Sequence, residues 1–135
     1  MTGCPALYSK DHLNSHFSLA LPILNIGFSL GVSLKTSKKM YEQMQDVLML
    51  LRNVHKNAKI TVAFHHSPGQ EYLAAHGSNN KLFVALNKYK AWLDKNGFNY
   101  KDISGTAENL VAFYLSMDMH IGYRVHAHIF MNSIS

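Results

Sequence analysis

Residues 111–131 read Val111-Ala112-Phe113-Tyr114-Leu115-Ser116-Met117-Asp118-Met119-His120, then Ile121-Gly122, then Tyr123-Arg124-Val125-His126-Ala127-His128-Ile129-Phe130-Met131. In the first block, apolar Val111, Phe113, Leu115, Met117 and Met119 alternate with Ala112, Tyr114, Ser116, Asp118 and His120. Strand side chains repeat with a period of two, and helical ones with a period of 3.6. The alternation predicts a long strand over residues 111–120. A second strand follows over residues 123–131, where Val125, Ala127, Ile129 and Met131 form the apolar face. Ile121-Gly122 supplies the turn between them.

Paired residues of an antiparallel ladder share a face, so the hydrophobic pattern selects the register. A two-residue loop would set Asp118 against Val125 and mix the faces. A three-residue loop, with Gly122 in the left-handed position, pairs His120 with Arg124, Asp118 with His126, and Ser116 with His128. That register gathers Asp118, His126 and His128 on one polar face.

Outward from this hairpin, Phe17, Leu19, Leu21 and Ile23 alternate, Asn25-Ile26-Gly27 offers turn chemistry, and Phe28, Leu30, Val32 and Leu34 resume the alternation. The pattern predicts another hairpin, its first strand at an edge because Pro22 has no N–H to give a ladder. Thr36 or Ser37 caps a helix whose inward stripe is Met40, Met44, Val47, Leu48, Leu51 and Val54. Lys59 to His66 is a strand, broken by Ser67-Pro68-Gly69, and a short helical turn falls in 70–76. A second helix covers Lys81 to Asn96, with Leu82, Leu86, Tyr89 and Leu93 inward and Gly97 at its C-terminal cap. The expected fold is a single α+β domain over residues 1–135, an antiparallel sheet of about five strands with two main helices packed on one face.

Composition sets limits on function. With 135 residues, 47% apolar and 16% charged, the chain can bury a full core and is not disordered. A lone cysteine, Cys4, forms no internal disulfide, which points to a reducing, cytoplasmic setting. Lys and Arg outnumber Asp and Glu by 13 to 8, a surplus suited to a polyanion such as single-stranded nucleic acid. The apolar stretch from Phe17 to Leu34 is interrupted by Pro22, Asn25, Gly27 and Gly31, so no membrane span is expected, and residues 1–16 lack the pattern of a secretory leader. No Walker loop, dinucleotide glycine fingerprint, Ser-His-Asp pattern or HExxH is present.

Two histidines and a carboxylate suit a divalent ion (Mn²⁺ or Mg²⁺, with Zn²⁺ a further choice) whose open positions would polarise a phosphodiester oxygen. The plainer alternative is a polar sheet face that carries histidines because the chain has nine of them.

His126-Ala127-His128 resembles the His-hydrophobic-His strand of the HUH endonucleases, the replication initiators, relaxases and single-strand transposases. A long strand, a glycine turn and the aromatic Tyr123 precede it, as in the replication initiators, and Lys59 to Phe64 is similar to their first apolar strand. The resemblance covers roughly residues 59–131. It implies a ferredoxin-like, HUH-like fold, His126 and His128 as metal ligands, and metal-dependent cleavage of single-stranded DNA by a nucleophilic tyrosine. Asp118 joins the ligands through the register alone. Replication initiators carry the tyrosine on a helix after the histidine strand, whereas this sequence ends at Ser135. The resemblance therefore implies a nucleophile at Tyr8, as in relaxases, or at Tyr41, or else a truncated or inactive relative.

Two other functions stay open. A small binding or inhibitory protein without chemistry would oligomerise or occupy a partner surface through an exposed strand edge. A two-histidine phosphodiesterase would use His65-His66-Ser67 as one of its acid–base motifs.

Overall fold

The computed structural model describes residues 22–31, 37–69 and 81–124, together with Ala127, Ile129 and Met131. At its centre lie four strands, β1 (Asn25–Ser29), β2 (Lys59–Phe64), β3 (Asn99–Asp102) and β4 (Met119–Gly122), in the order β3-β2-β1-β4. Every neighbouring pair is parallel. A helix separates each strand from the next: α1 (Lys38–Val54), α2 (Lys81–Lys95) and α3 (Ala107–Leu115). Each helix carries the chain back along the sheet, so the next strand starts from the same end. The chain steps outward from β1 to β2 to β3, then returns to place β4 on the far side of β1. This is a doubly wound α/β arrangement, with its switch point between β1 and β4.

The predicted antiparallel sheet of about five strands, covered on one face by two helices, is thereby corrected to a four-stranded parallel sheet with helices on both faces. On one face Ile26, Phe28, Ile60, Val62 and Phe64 pack with Met44, Leu48, Leu51, Leu86, Tyr89 and Leu93 of α1 and α2. On the other face Ala63 packs with Ile103, with Phe113 and Tyr114 of α3, and with Ala127. Gly27, Ser29, Thr61 and Ala63 look toward this second layer, and small side chains let it approach closely. Their smallness also explains the misreading. A strand covered on both sides, but with small residues on one, has the alternation of a half-exposed strand.

The helices that sequence located well are capped as expected. Ser37 caps α1, its Oγ accepting from the Met40 N–H at 3.3 Å. Gly97, with φ of +67°, closes α2, where Phe98 N–H donates to Leu93 O at 3.0 Å. Two other segments differ. Asn25-Ile26-Gly27, predicted as a turn, opens β1; the adjoining stretches at 17–21 and 32–36, and the helical turn expected in 70–76, lie outside the described residues.

The predicted 111–120 strand is mostly α3. Thr106 caps it by accepting from the Asn109 N–H at 3.2 Å, and Glu108 favours the positive end of the helix dipole. Leu110, Phe113, Tyr114 and Met117 all meet the second layer, an i, i+3, i+4, i+7 stripe embedded in the alternating pattern. Leu115, which the strand pattern placed inside, is 61% exposed. The predicted 123–131 strand is corrected too. Ala127, Ile129 and Met131 are helical, and Ala127 N–H donates to Arg124 O at 3.1 Å. No helix among the described residues is long and apolar enough to cross a membrane.

Candidate functional site at the carboxyl ends of the strands

Open parallel sheets place ligands outside the carboxyl ends of their strands, at the switch point. Here those ends carry Ser29 as the last residue of β1 with Leu30 and Gly31 after it, His65 and His66 after β2, and Tyr123 and Arg124 after β4. The backbones of β1 and β4 close tightly there: Tyr123 N–H donates to Ser29 O at 3.1 Å. The register that pairs Ser29 with Gly122 and Gly27 with His120 brings the Ser29 and His120 side chains to the face covered by α3.

Four side chains form a hydrogen-bonded row on that face. His120 Nε2 lies 3.0 Å from Ser29 Oγ. The Ser29 hydroxyl is bonded in turn to the Tyr114 hydroxyl, and Tyr114 Oη lies 2.8 Å from His65 Nε2. The Tyr114 ring also meets His120 edge to face, with centroids 5.1 Å apart. Ser29 and Tyr114 are both 0% exposed, whereas His65 and His120, at the two ends, are half-buried. A hydroxyl donates one proton and accepts others, and a neutral imidazole has one donor and one acceptor nitrogen. The row can therefore run from His120 to His65 or back, with every member satisfied in both directions.

Arg124 flanks the row. Its Nε–H donates to Leu30 O at 3.1 Å and its backbone N–H to Ser29 Oγ at 3.4 Å. That fixes the guanidinium at the β1–β4 junction with its terminal nitrogens still able to donate. Burial, helped by the Arg124 and His66 charges, pushes His65 down to about 4. Burial also pushes Tyr114 up, opposed by the Ser29 hydrogen bond and by Arg124. At neutral pH His65 and Tyr114 are therefore uncharged, and the neighbouring fixed charge is the positive one of Arg124. Such a site favours an anion.

The residues expected from sequence fall elsewhere. Asp118 stands just before β4, at the amino end of the sheet, where its Oδ2 accepts from the N–H groups of Leu24 at 3.0 Å and Asn25 at 2.7 Å. It ties the starts of β1 and β4 together, and about 3.3 Å of rise per strand residue separates it from the Arg124 end. Tyr41 lies on α1, against Tyr89 on the opposite face of the sheet from the row. Tyr8, His126 and His128 are outside the described residues. The same-face argument for the two histidines assumed a strand, while their described neighbours Ala127 and Ile129 are helical. Among the described residues no group of three His, Cys, Asp or Glu side chains is placed to hold a metal.

Sequence did not link Tyr114 with His65, because the strand assignment put Tyr114 on a polar sheet face. The stripe that makes α3 a helix was the signal that would have buried it. Asp118 also supplies a test of the sheet's amino end. Its hydrogen bonds from Asn25 and Leu24 hold the carboxyl below its ordinary 3.8, so the stability it adds is present above that value and is lost as pH falls through the lowered one. Asp118→Ala is expected to lower the urea midpoint at pH 7, and the gap from wild type should close in acid. A constant gap at all pH values would show that the ionised carboxylate is not what matters.

No protein-family model, curated protein sequence or solved structure matches the chain.

Proposed function

We propose that the chain binds a small anionic ligand, bearing phosphate or carboxylate, at the carboxyl ends of β1 and β4. The observation that carries this is the position of Arg124: anchored to Leu30 O and Ser29 Oγ, it stands at the switch point of a parallel sheet. His120 gives the site a half-exposed imidazole held by Ser29, suited to exchange a proton with the ligand. Ser29 itself orients and does not attack, since it is 0% exposed. Calorimetry with inorganic pyrophosphate is expected to show saturable binding that weakens about tenfold or more in Arg124→Ala, as for loss of a charge-assisted hydrogen bond. Equal heats from the two proteins would remove the proposal.

Metal-dependent processing of single-stranded DNA is supported by the His126-Ala127-His128 spelling and the positive charge surplus. It competes directly in a second assay: Mn²⁺-dependent nicking of labelled single-stranded DNA, abolished by His126→Ala, would replace an anion-binding role with phosphodiester chemistry.

A further inference from the structure

The opposite face of the molecule holds a second feature, independent of the anion site. Between the first turns of α1 and the middle of α2 lies a groove of about 390 Å³, with Tyr41, Tyr89 and Trp92 in its walls and Lys38 and Lys88 on its rims. That size is within the range of small-molecule sites. The rings are pre-arranged. Tyr41 and Tyr89 lie 6.0 Å apart, Tyr89 and Trp92 5.8 Å apart, and Trp92 is stacked on Phe98 at 5.6 Å and 16°. Phe98 is in turn covered by the Arg52 guanidinium at 4.0 Å. Trp92 is thus held in place by a stack that the groove itself does not need.

The hydroxyls of Tyr41 and Tyr89 are both buried, and neither has a hydrogen-bond partner among the described residues. Burial raises the pKa of each, so each remains a neutral O–H donor. A buried donor without an acceptor has lost its water and gained nothing in return, and phenylalanine at either place would avoid that loss. Two such hydroxyls, on rings 6.0 Å apart in the wall of an aromatic groove, call for an acceptor that arrives with a ligand. The rim adds a second requirement. Lys38 is engaged by Glu42 at 3.6 Å, one turn on, while Lys88 adds a cation from α2.

We propose that this groove binds a planar heteroaromatic ring carrying a phosphate. The ring lies among Tyr41, Tyr89 and Trp92, its acceptor edge takes the tyrosine O–H groups as the Tyr41 ring shifts, and Lys88 pairs with the phosphate. Stacking on aromatic side chains with a flanking cation is how bases of nucleotides and of single strands are held. The two sources share this chemistry and are separated by the test below.

Trp92 is the chain's single tryptophan, so its fluorescence reports on the groove directly. Titration with adenosine monophosphate, and separately with a short oligothymidylate, is expected to quench it saturably. Quenching by the mononucleotide assigns a free nucleotide, and quenching by the oligonucleotide alone assigns a strand. Lys88→Ala and Tyr41→Phe are each expected to weaken the binding about fivefold, the loss of roughly one hydrogen bond or ion pair. Tyr41→Phe removes an unpartnered hydroxyl, so it should fold with unchanged or raised melting temperature while binding less well, a split that a purely structural tyrosine would not show. Absence of saturable quenching with both probes, or quenching unaffected by both substitutions, overturns the proposal.

Discussion

Gly122→Ala is expected to destabilise the protein by roughly 2–6 kcal/mol, the sum of backbone strain and forced overpacking. Gly122 has φ of +153°, which L side chains rarely adopt, and a Cβ built there would lie 2.3 Å from Ser29 O and 2.4 Å from Ser29 Oγ. The obstacle is mainly backbone, at the last residue pair of the β1–β4 ladder, so it cannot yield by a rotamer change. Relief would require β4 to separate from β1, which would also break the Ser29–His120 contact and release Arg124 from Leu30. Since domains of this size are stable by only about 5–15 kcal/mol, the variant should lose much of its cooperative transition in urea. Gly97→Ala is the control. Gly97 also has a positive φ, +67°, but nothing lies within 4 Å of its added Cβ. Its cost should be limited to about 1–2 kcal/mol of backbone strain. If the two variants had equal midpoints, the close approach of β4 to β1 would be wrong.

The second large effect is on acid stability. His65 has its pKa lowered from 6.5 to about 4 in the folded chain, first by burial and then by Arg124 and His66. Between those values the unfolded chain binds the extra proton and the folded one does not. Stability is therefore complete above about pH 6.5 and falls as pH drops toward 4, by about 1–2 kcal/mol from this half-buried ring once solvent screening is counted. Asp118 and Asp102 have lowered carboxyl pKa values, so their losses begin below the ordinary 3.8 and lie outside this window. The loss at His65 has a structural counterpart. A protonated His65 donates from both nitrogens, so Tyr114 Oη can no longer donate to it, and the row reorients toward Ser29 and His120. His65→Gln, neutral at all these pH values, is expected to flatten the unfolding free energy between pH 6.5 and 4. An undiminished slope in the variant would place the acid sensitivity elsewhere.

The two helices α1 and α2 and the strand β2 were legible because each carries one dominant period and recognisable ends: Ser37 before α1, Gly97 after α2, Ser67-Pro68 after β2. The segment 107–122 was not, because two periods coincide in it. Its alternation is an accident of half-buried Val111 and exposed Leu115, while the inward stripe Leu110, Phe113, Tyr114 and Met117 fixes a helix through contacts with residues far away in sequence. β4 has four residues, too few to show any period of its own. Strand direction is a tertiary property as well. Helices between successive strands favour parallel order, and recognising only α1 and α2 left the last crossover out. Of the site, His65-His66 was visible as a polar strand end, and His120 with Arg124 as neighbours. Their meeting with Ser29 and Tyr114 depends on β4 lying beside β1, which no local pattern records.

The most direct measurement is a chemical-shift map of the ¹⁵N-labelled protein titrated with inorganic pyrophosphate. Saturable shifts are expected at the amides of Leu30, Gly31, His66 and Arg124 and at the His120 ring, with Leu24, Asn25 and Asp118 unmoved at the other end of the strands. Shifts absent from the Arg124 end, or concentrated at the Asp118 end, would contradict an anion site at the β1–β4 switch point.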